Sequence, residues 1–228
     1  MSEFTPSNIS DSYKDKKRRN YLGEYNPDSF WLEMGKTYLK TFTADPTIRE
    51  GTDFKLNIRE LVARIYHIRP QTVLEVGCGF GRCMPFVKIA CKETVKKVVG
   101  IEFSKSMIED SKLYLQNYPI KDDLEIIHAN AKDLPFKDKE FDLTYTHCCL
   151  THIPPCDIPR VTSEIGRVTK SWIVHVERFR YPYEHPNQHR WSHLLPPYYL
   201  DKGWELWDND VVHEEHYTIV MVFRRLER

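Results

Sequence analysis

The sequence has no excess charge of either sign: lysine and arginine together number 33, and aspartate and glutamate also number 33. A chain so balanced has no global field to gather nucleic acid or anionic membrane, which lowers the expectation of such partners, although a local basic patch is invisible in the sum. Long apolar runs are missing too. None approaches the roughly 18 residues needed to span a bilayer, and the N-terminus lacks the charged-then-apolar pattern of a secretory leader. A cytoplasmic protein is expected. The six cysteines, at 78, 83, 91, 148, 149 and 156, form no CxxC pair, and several sit inside apolar runs. They read as reduced, small core residues. There is no internal repeat and no low-complexity linker.

What remains is a chain of 228 residues, 41% of them hydrophobic, long enough to bury one sizeable core. Residues Met1 to Asn20 are polar and contain the basic cluster Lys14 to Arg19, which reads as a solvated tail. Phe30, Met34, Tyr38 and Phe42 then recur four apart, one face of a helix that must dock on something. Arg59 to His67 offers a second helix, with Leu61, Val62, Ile65 and Tyr66 along its buried side. From Thr72 onward short β-branched runs alternate with helical segments, the pattern of a parallel sheet covered on both faces. Strands are expected at 72–76, 97–103, 124–128, 141–147 and 171–177, with helices at about 81–94, 105–117 and 157–168 between them. Ser104 is a candidate N-cap. The C-terminal part changes character: Trp204 to His213 and His216 to Arg224 are two strands with no helix between, hence antiparallel. The run Tyr217 to Phe223 is apolar at nearly every position and belongs inside the sheet.

Val73 to Arg82 is the most informative stretch. An apolar run ends in Gly77, Gly79 and Gly81, a turn in which the backbone takes positive φ and no Cβ keeps a ligand from the main chain. About 20 residues later a second strand ends in Glu102, where a carboxylate can accept hydrogen bonds from both hydroxyls of a ribose. A nucleotide-like ligand is implied. The spacing is GxGxG, and Arg82 stands where a dinucleotide fingerprint has its third glycine, which disfavours an oxidoreductase using a dinucleotide.

With Glu75 to Gly81, Glu102, the segment Ala129 to Phe136 and the segment Phe141 to Pro154 in this order, the chain resembles the class I S-adenosylmethionine-dependent methyltransferases. The resemblance implies a doubly wound, Rossmann-like α/β fold with a mostly parallel seven-stranded sheet, an antiparallel seventh strand between the fifth and sixth, and helices on both faces. Residues 1–50 would form a tail and cap helix, and residues 51–228 the cofactor-binding domain. S-adenosylmethionine is the implied cofactor. The glycine turn and the following helix N-terminus would receive its methionine end, with Glu75 in the same motif. Arg82 either pairs with its carboxylate or makes a surface salt bridge. Glu102 would take the ribose and Phe103 lie against the adenine. Ubiquinone and menaquinone methyltransferases are similar in carrying Asn-Ala before a Leu-Pro-Phe turn, which implies adenine binding by Asn130 and Ala131. Asp133 is the second choice there, or a turn cap. In the family, the position of His147 contacts the methionine part and that of His152 faces the substrate. Trp31 and Tyr38 either close over the cofactor or pack in the core.

The segment Arg178 to Tyr199, rich in aromatics and histidine, emerges at the carboxyl ends of the strands and reads as a substrate lid. His189 and His193 are candidates for a base or a substrate contact. The four-residue spacing of His185, His189 and His193 raises metal binding, which the neighbouring prolines limit, so no metal is assigned. Glu177 either holds a substrate amine or pairs with Arg178. A small-molecule methyl acceptor follows from the neutral balance and the aromatic wall. The rivals are a methyltransferase acting on RNA or a protein side chain and a non-catalytic cofactor-binding scaffold. An aminopropyl transferase is disfavoured, since no paired acids follow the fourth strand.

Overall fold

The computed structural model describes residues 27–44, 52–179, 190–213 and 218–227. Seven strands form one sheet: β1 (Thr72–Val76), β2 (Lys97–Glu102), β3 (Leu124–His128), β4 (Phe141–His147), β5 (Thr169–Arg178), β6 (Trp204–His213) and β7 (Thr218–Arg225). Their order across the sheet is β3-β2-β1-β4-β5-β7-β6. The first five run parallel, and β7 enters antiparallel between β5 and β6, with Val174 opposite Val222. Five of the seven expected strands begin at the expected residue, Thr72, Lys97, Leu124, Phe141 and Trp204. β5 is longer than expected, because its first residue, Thr169, already pairs with Phe141.

Among the described residues five α-helices accompany the sheet: α1 (Pro27–Ala44), α2 (Thr52–Ile68), α3 (Met84–Ala90), α4 (Lys105–Leu115) and α5 (Ile158–Val168). Ile58, Leu61 and Ile65 of α2 and Met84 and Val87 of α3 join the inward residues of one sheet face in a single core. On the opposite face α5 buries Val161, Ile165 and Val168 completely, each worth roughly 1.5–3 kcal/mol relative to exposure. Among the described residues no helix is long and apolar enough to cross a membrane.

Three local expectations change. Helix α2 starts seven residues earlier than the Arg59 boundary, and Tyr66 is 54% exposed, because a face set by Ile58, Leu61 and Ile65 turns the next residue about 100° away. Helix α3 is shorter than 81–94: Gly81 at φ +81° belongs to the turn, and residues 91–94 form a turn closed on the Cys91 carbonyl. Ser104 does precede α4, but its hydroxyl lies 2.9 Å from the Ser106 hydroxyl and makes no cap hydrogen bond.

Helix α1 docks on α4 at Gly35; of the expected stripe, the Phe42 side chain lies outside the described residues. Gly35 is buried, and a Cβ there would stand 2.3 Å from Ser104 Oγ and 2.4 Å from Ser106 Oγ. Glycine permits this close approach of helices. The side chains of Trp31, Met34 and Tyr38 are then turned toward the carboxyl ends of β1 and β4. The proposed boundary at residue 50 lies outside the described residues.

Candidate active site

From β1 the chain winds one way to β2 and β3, and from β4 the other way to β5. The crevice where the winding reverses is the place where ligands bind in such sheets. A cavity of about 710 Å³ occupies it.

Its floor is the turn after β1. Gly77, Gly79 and Gly81 have φ of +73°, +57° and +81°, values that side-chain-bearing residues adopt at a cost. The three serve different ends. A Cβ on Gly77 would stand 2.2 Å from Cys149 Sγ, so this glycine lets the turn after β4 pack against the turn after β1. Gly81 lies behind the cavity, where a Cβ would crowd Ile126 and Leu115. Gly79 borders the cavity and would meet only Met107 Sδ at 3.6 Å. Four main-chain donors of this turn are engaged within the protein. Gly77 and Cys78 N–H both donate to Ile101 O, Gly81 N–H donates to Cys78 O, and Gly79 N–H donates to Glu102 Oε2. What the turn offers is close approach.

Glu102 is gripped from two sides. Its Oε2 accepts from Gly79 N–H at 2.9 Å and its Oε1 from Ser104 N–H at 2.7 Å, while the carboxylate borders the cavity at 8% exposure. Burial raises its pKa and the backbone donors pull it back. Each oxygen keeps a lone pair, the requirement for a diol clasp. Glu75, at the end of β1, accepts a 2.8 Å hydrogen bond from the Tyr145 hydroxyl, and burial pushes its pKa to about 8. Phe103 and Ala131 border the cavity. Asn130 Oδ1 accepts from Lys132 N–H, leaving one lone pair, whereas Asp133 is exposed and lies off the cavity.

The opposite wall comes from the turns after β4 and β5. His147 is enclosed against Phe54, with ring centroids 5.8 Å apart, and its Nε2 has no hydrogen-bond partner among the described residues. Burial, helped by the Arg82 charge, lowers its pKa to about 3, so the ring is neutral. Arg82 borders the cavity with its guanidinium 3.2 Å over the Phe54 ring. Cys148 follows at φ +52°. His152 also faces the cavity, with the Trp31 ring 4.7 Å away at an edge-on angle.

Glu177 lies behind this wall. It is 4% exposed and gathers Thr146 Oγ1 and the N–H groups of Cys149, Leu150 and Thr151. It fixes the turn that carries Cys148 to His152 and forms no ion pair with Arg178. His193 lies off the main cavity, its Nε2 2.9 Å from Ile153 O. His185 and His189 lie outside the described residues. The end of that segment returns to the site: Trp191 N–H donates to Thr151 O at 2.8 Å, and Arg190 borders the cavity. Among the described residues no group of three histidines, cysteines or acids is placed to hold a metal.

Sequence reasoning missed Phe54 and Asn57, which border the cavity from the first turns of α2. Asn57 is 4% exposed, and its Oδ1 has no hydrogen-bond partner among the described residues. A helix start placed before Thr52 would have brought both to notice.

A family model described as a methyltransferase domain matches residues 73–171, from β1 to the start of β5. The stretch matched is a methyltransferase domain by that model and covers less than half of the chain. Over 113 residues the chain is 35% identical to a demethylmenaquinone methyltransferase of Symbiobacterium thermophilum, covering 49% of this chain and 43% of that one. It is also 35% identical over 112 residues to the O-methyltransferase rstn1 of Aspergillus nomiae, covering 49% and 48%. The chain thus spans less than half the length of these relatives. The fold of the methyltransferase domain is shared with DhpI in its complex with SAH, at a TM-score of 0.65 and 15% identity over 88% of this chain and 98% of that one.

Proposed function

We propose that this chain transfers the methyl group of S-adenosylmethionine to a nucleophile on a small metabolite. The observation that carries the reading is Glu102, a buried carboxylate clamped by two backbone N–H groups at the edge of a cavity whose glycine floor has no side chain to fill it. Two further features fit the cofactor: the buried, unpartnered polar atoms of Asn57 and His147 face the same space. When bound, S-adenosylmethionine supplies a methyl group already activated by a positively charged sulfur.

The residues then divide the work. Glu102 holds the ribose diol, Phe103, Asn130 and Ala131 form the adenine wall, and Glu75 and Arg82 answer the ammonium and carboxylate of the methionine tail. Glu75 gives up its proton when the ammonium arrives, since an adjacent cation favours the charged carboxylate. Trp31, Tyr38 and Phe54 exclude water, which strengthens each of these interactions. Neutral His147 offers a ring nitrogen without adding charge next to a sulfonium. His152 is the group placed to take a proton when the acceptor must lose one, and alignment of the acceptor supplies most of the rate. The enclosure by α1 and the neutral charge balance favour a small acceptor over a polymer, as does the similarity to a demethylmenaquinone methyltransferase.

Isothermal titration with S-adenosylhomocysteine, followed by transfer of labelled methyl from the cofactor to a metabolite extract, tests the reading. Saturable binding with a labelled product is expected. Binding without any transfer would leave a scaffold, and no binding would defeat the proposal.

A further inference from the structure

The cavity has a charge imbalance that the cofactor alone does not account for. Its acids are already engaged: Glu75 with Tyr145, Glu102 with two backbone N–H groups, and Asp157 with Lys132 at 3.2 Å. Three arginines border the same space, Arg82, Arg178 and Arg190. Arg178 comes from the last residue of β5, and Arg190 from the segment that returns to pair with Thr151. Neither has an ion-pair or hydrogen-bond partner among the described residues, and the Nε of Arg190 is buried with none. Burial and the neighbouring Arg178 charge hold the Arg190 guanidinium below its ordinary range, while the charges of Arg82 and Arg178 both help to keep His147 neutral. Glu177, the acid that acts on Cys148 together with these arginines, is already engaged by Thr146 Oγ1 and three backbone N–H groups, and like charges brought together beside a cavity are costly unless an anion joins them.

Resting on the methyl-transfer reading, we infer that Arg178 and Arg190 form a subsite for an oxyanion head group, a carboxylate or a phosphate, on the methyl acceptor. Arg82, adjoining the glycine turn, is left to the methionine carboxylate. Guanidinium forks match the planar oxygens of a carboxylate and the oxygens of a phosphate in paired hydrogen bonds. The ring of Phe54, already under Arg82, and that of Tyr38 offer an apolar flank for the body of such an acceptor. The subsite lies at the ends of β4 and β5, across the cavity from Glu102. An acceptor anchored there points the rest of its body back toward the cofactor side.

The test uses the full chain saturated with S-adenosylhomocysteine and three calorimetric probes: benzoate, phenyl phosphate and the neutral benzamide. At least one of the two anions is expected to bind about tenfold or more tightly than benzamide, the advantage of a charge-assisted, bidentate contact. In the double variant Arg178→Met, Arg190→Met that advantage disappears, while affinity for S-adenosylhomocysteine moves by less than about threefold, the scale of an unaltered contact set. The single lysine variants, which keep charge but lose the fork, fall between. Whichever anion carries the advantage separates the carboxylate from the phosphate source. Equal binding of benzamide and both anions overturns the inference, as does an advantage that survives the double variant. A parallel loss of S-adenosylhomocysteine affinity also overturns it, because the arginines would then serve the cofactor. If the unaltered chain fails to bind S-adenosylhomocysteine, the methyl-transfer reading falls, and the same titrations without it decide the arginine subsite on their own.

Discussion

The two halves of the cavity are built from different materials. On the side of β1 and β2 the ligand surface is backbone: three glycines at positive φ, a turn in which the N–H groups of Gly77, Cys78, Gly79 and Gly81 are satisfied internally, and one carboxylate held by the N–H groups of Gly79 and Ser104. On the side of β4 and β5 it is side chain: a neutral histidine, a cysteine at φ +52°, and Arg178 and Arg190, from the end of β5 and from the segment that returns to Thr151. A backbone surface keeps its shape through many substitutions elsewhere. A side-chain surface is re-specified by changing a few residues, which suits one half to a constant ligand and the other to a variable one.

Three substitutions sharpen or break this contrast. Glu102→Ala should have the largest effect on ligand binding. Losing two hydrogen bonds to a charged acceptor, at about 1.5–3 kcal/mol each, lowers affinity for S-adenosylhomocysteine by roughly 100-fold or more. A calorimetric change below about threefold, the size of an incidental perturbation, would remove the ribose from this carboxylate. Glu177→Ala should instead be felt as stability. Three N–H groups and the Thr146 hydroxyl lose their acceptor, and at about 1–3 kcal/mol per stranded buried donor, partly relieved by water, a loss on the order of 3 kcal/mol is expected in urea unfolding. Cofactor affinity should fall by less than about tenfold, since Glu177 makes no hydrogen bond to the turn after β1. A variant as stable as the parent would mean that the turn after β4 does not depend on this acid.

The third test is a pH dependence. The Glu75 carboxyl is raised from 4.5 to about 8 by burial. A carboxyl raised on folding leaves stability intact below its unfolded pKa and withdraws it as pH climbs through the folded value. Glu75→Gln cannot ionise, so its melting temperature should gain on that of the parent between about pH 5 and pH 8 and then level off. Parallel melting curves across that range would place the burden on another group.

The backbone half was legible in the sequence because its signals are local. Glycine spacing, a strand-ending acid and the Asn130-Ala131 pair all lie within short windows, and β3 and β4 start and stop where their β-branched runs do. Glu177 was legible as a residue of the site but not in its task, because its partners, residues 146 and 149–151, are a strand away in the sequence. Phe54 and Asn57 were passed over for a related reason. Their helix was read from its apolar face, and the polar side that meets the cavity carries no periodic signature. The four-residue spacing of Phe30, Met34, Tyr38 and Phe42 marked an apolar face, and Gly35, where α1 docks on α4, has no side chain to be counted in it.

Strand β7 is the last of the seven in the chain, yet it lies between β5 and β6. Until residues 218–225 emerge from the ribosome, β5 has an open flank and β6 no partner, so the sheet cannot be finished as it is synthesised. The first five strands, with both flanks of the ligand crevice, can assemble beforehand, but Arg178 sits on the flank that waits, opposite Thr218. The pocket's final shape is therefore set late in biogenesis, and a premature stop before residue 218 would release a chain with an exposed strand edge ready to pair with another.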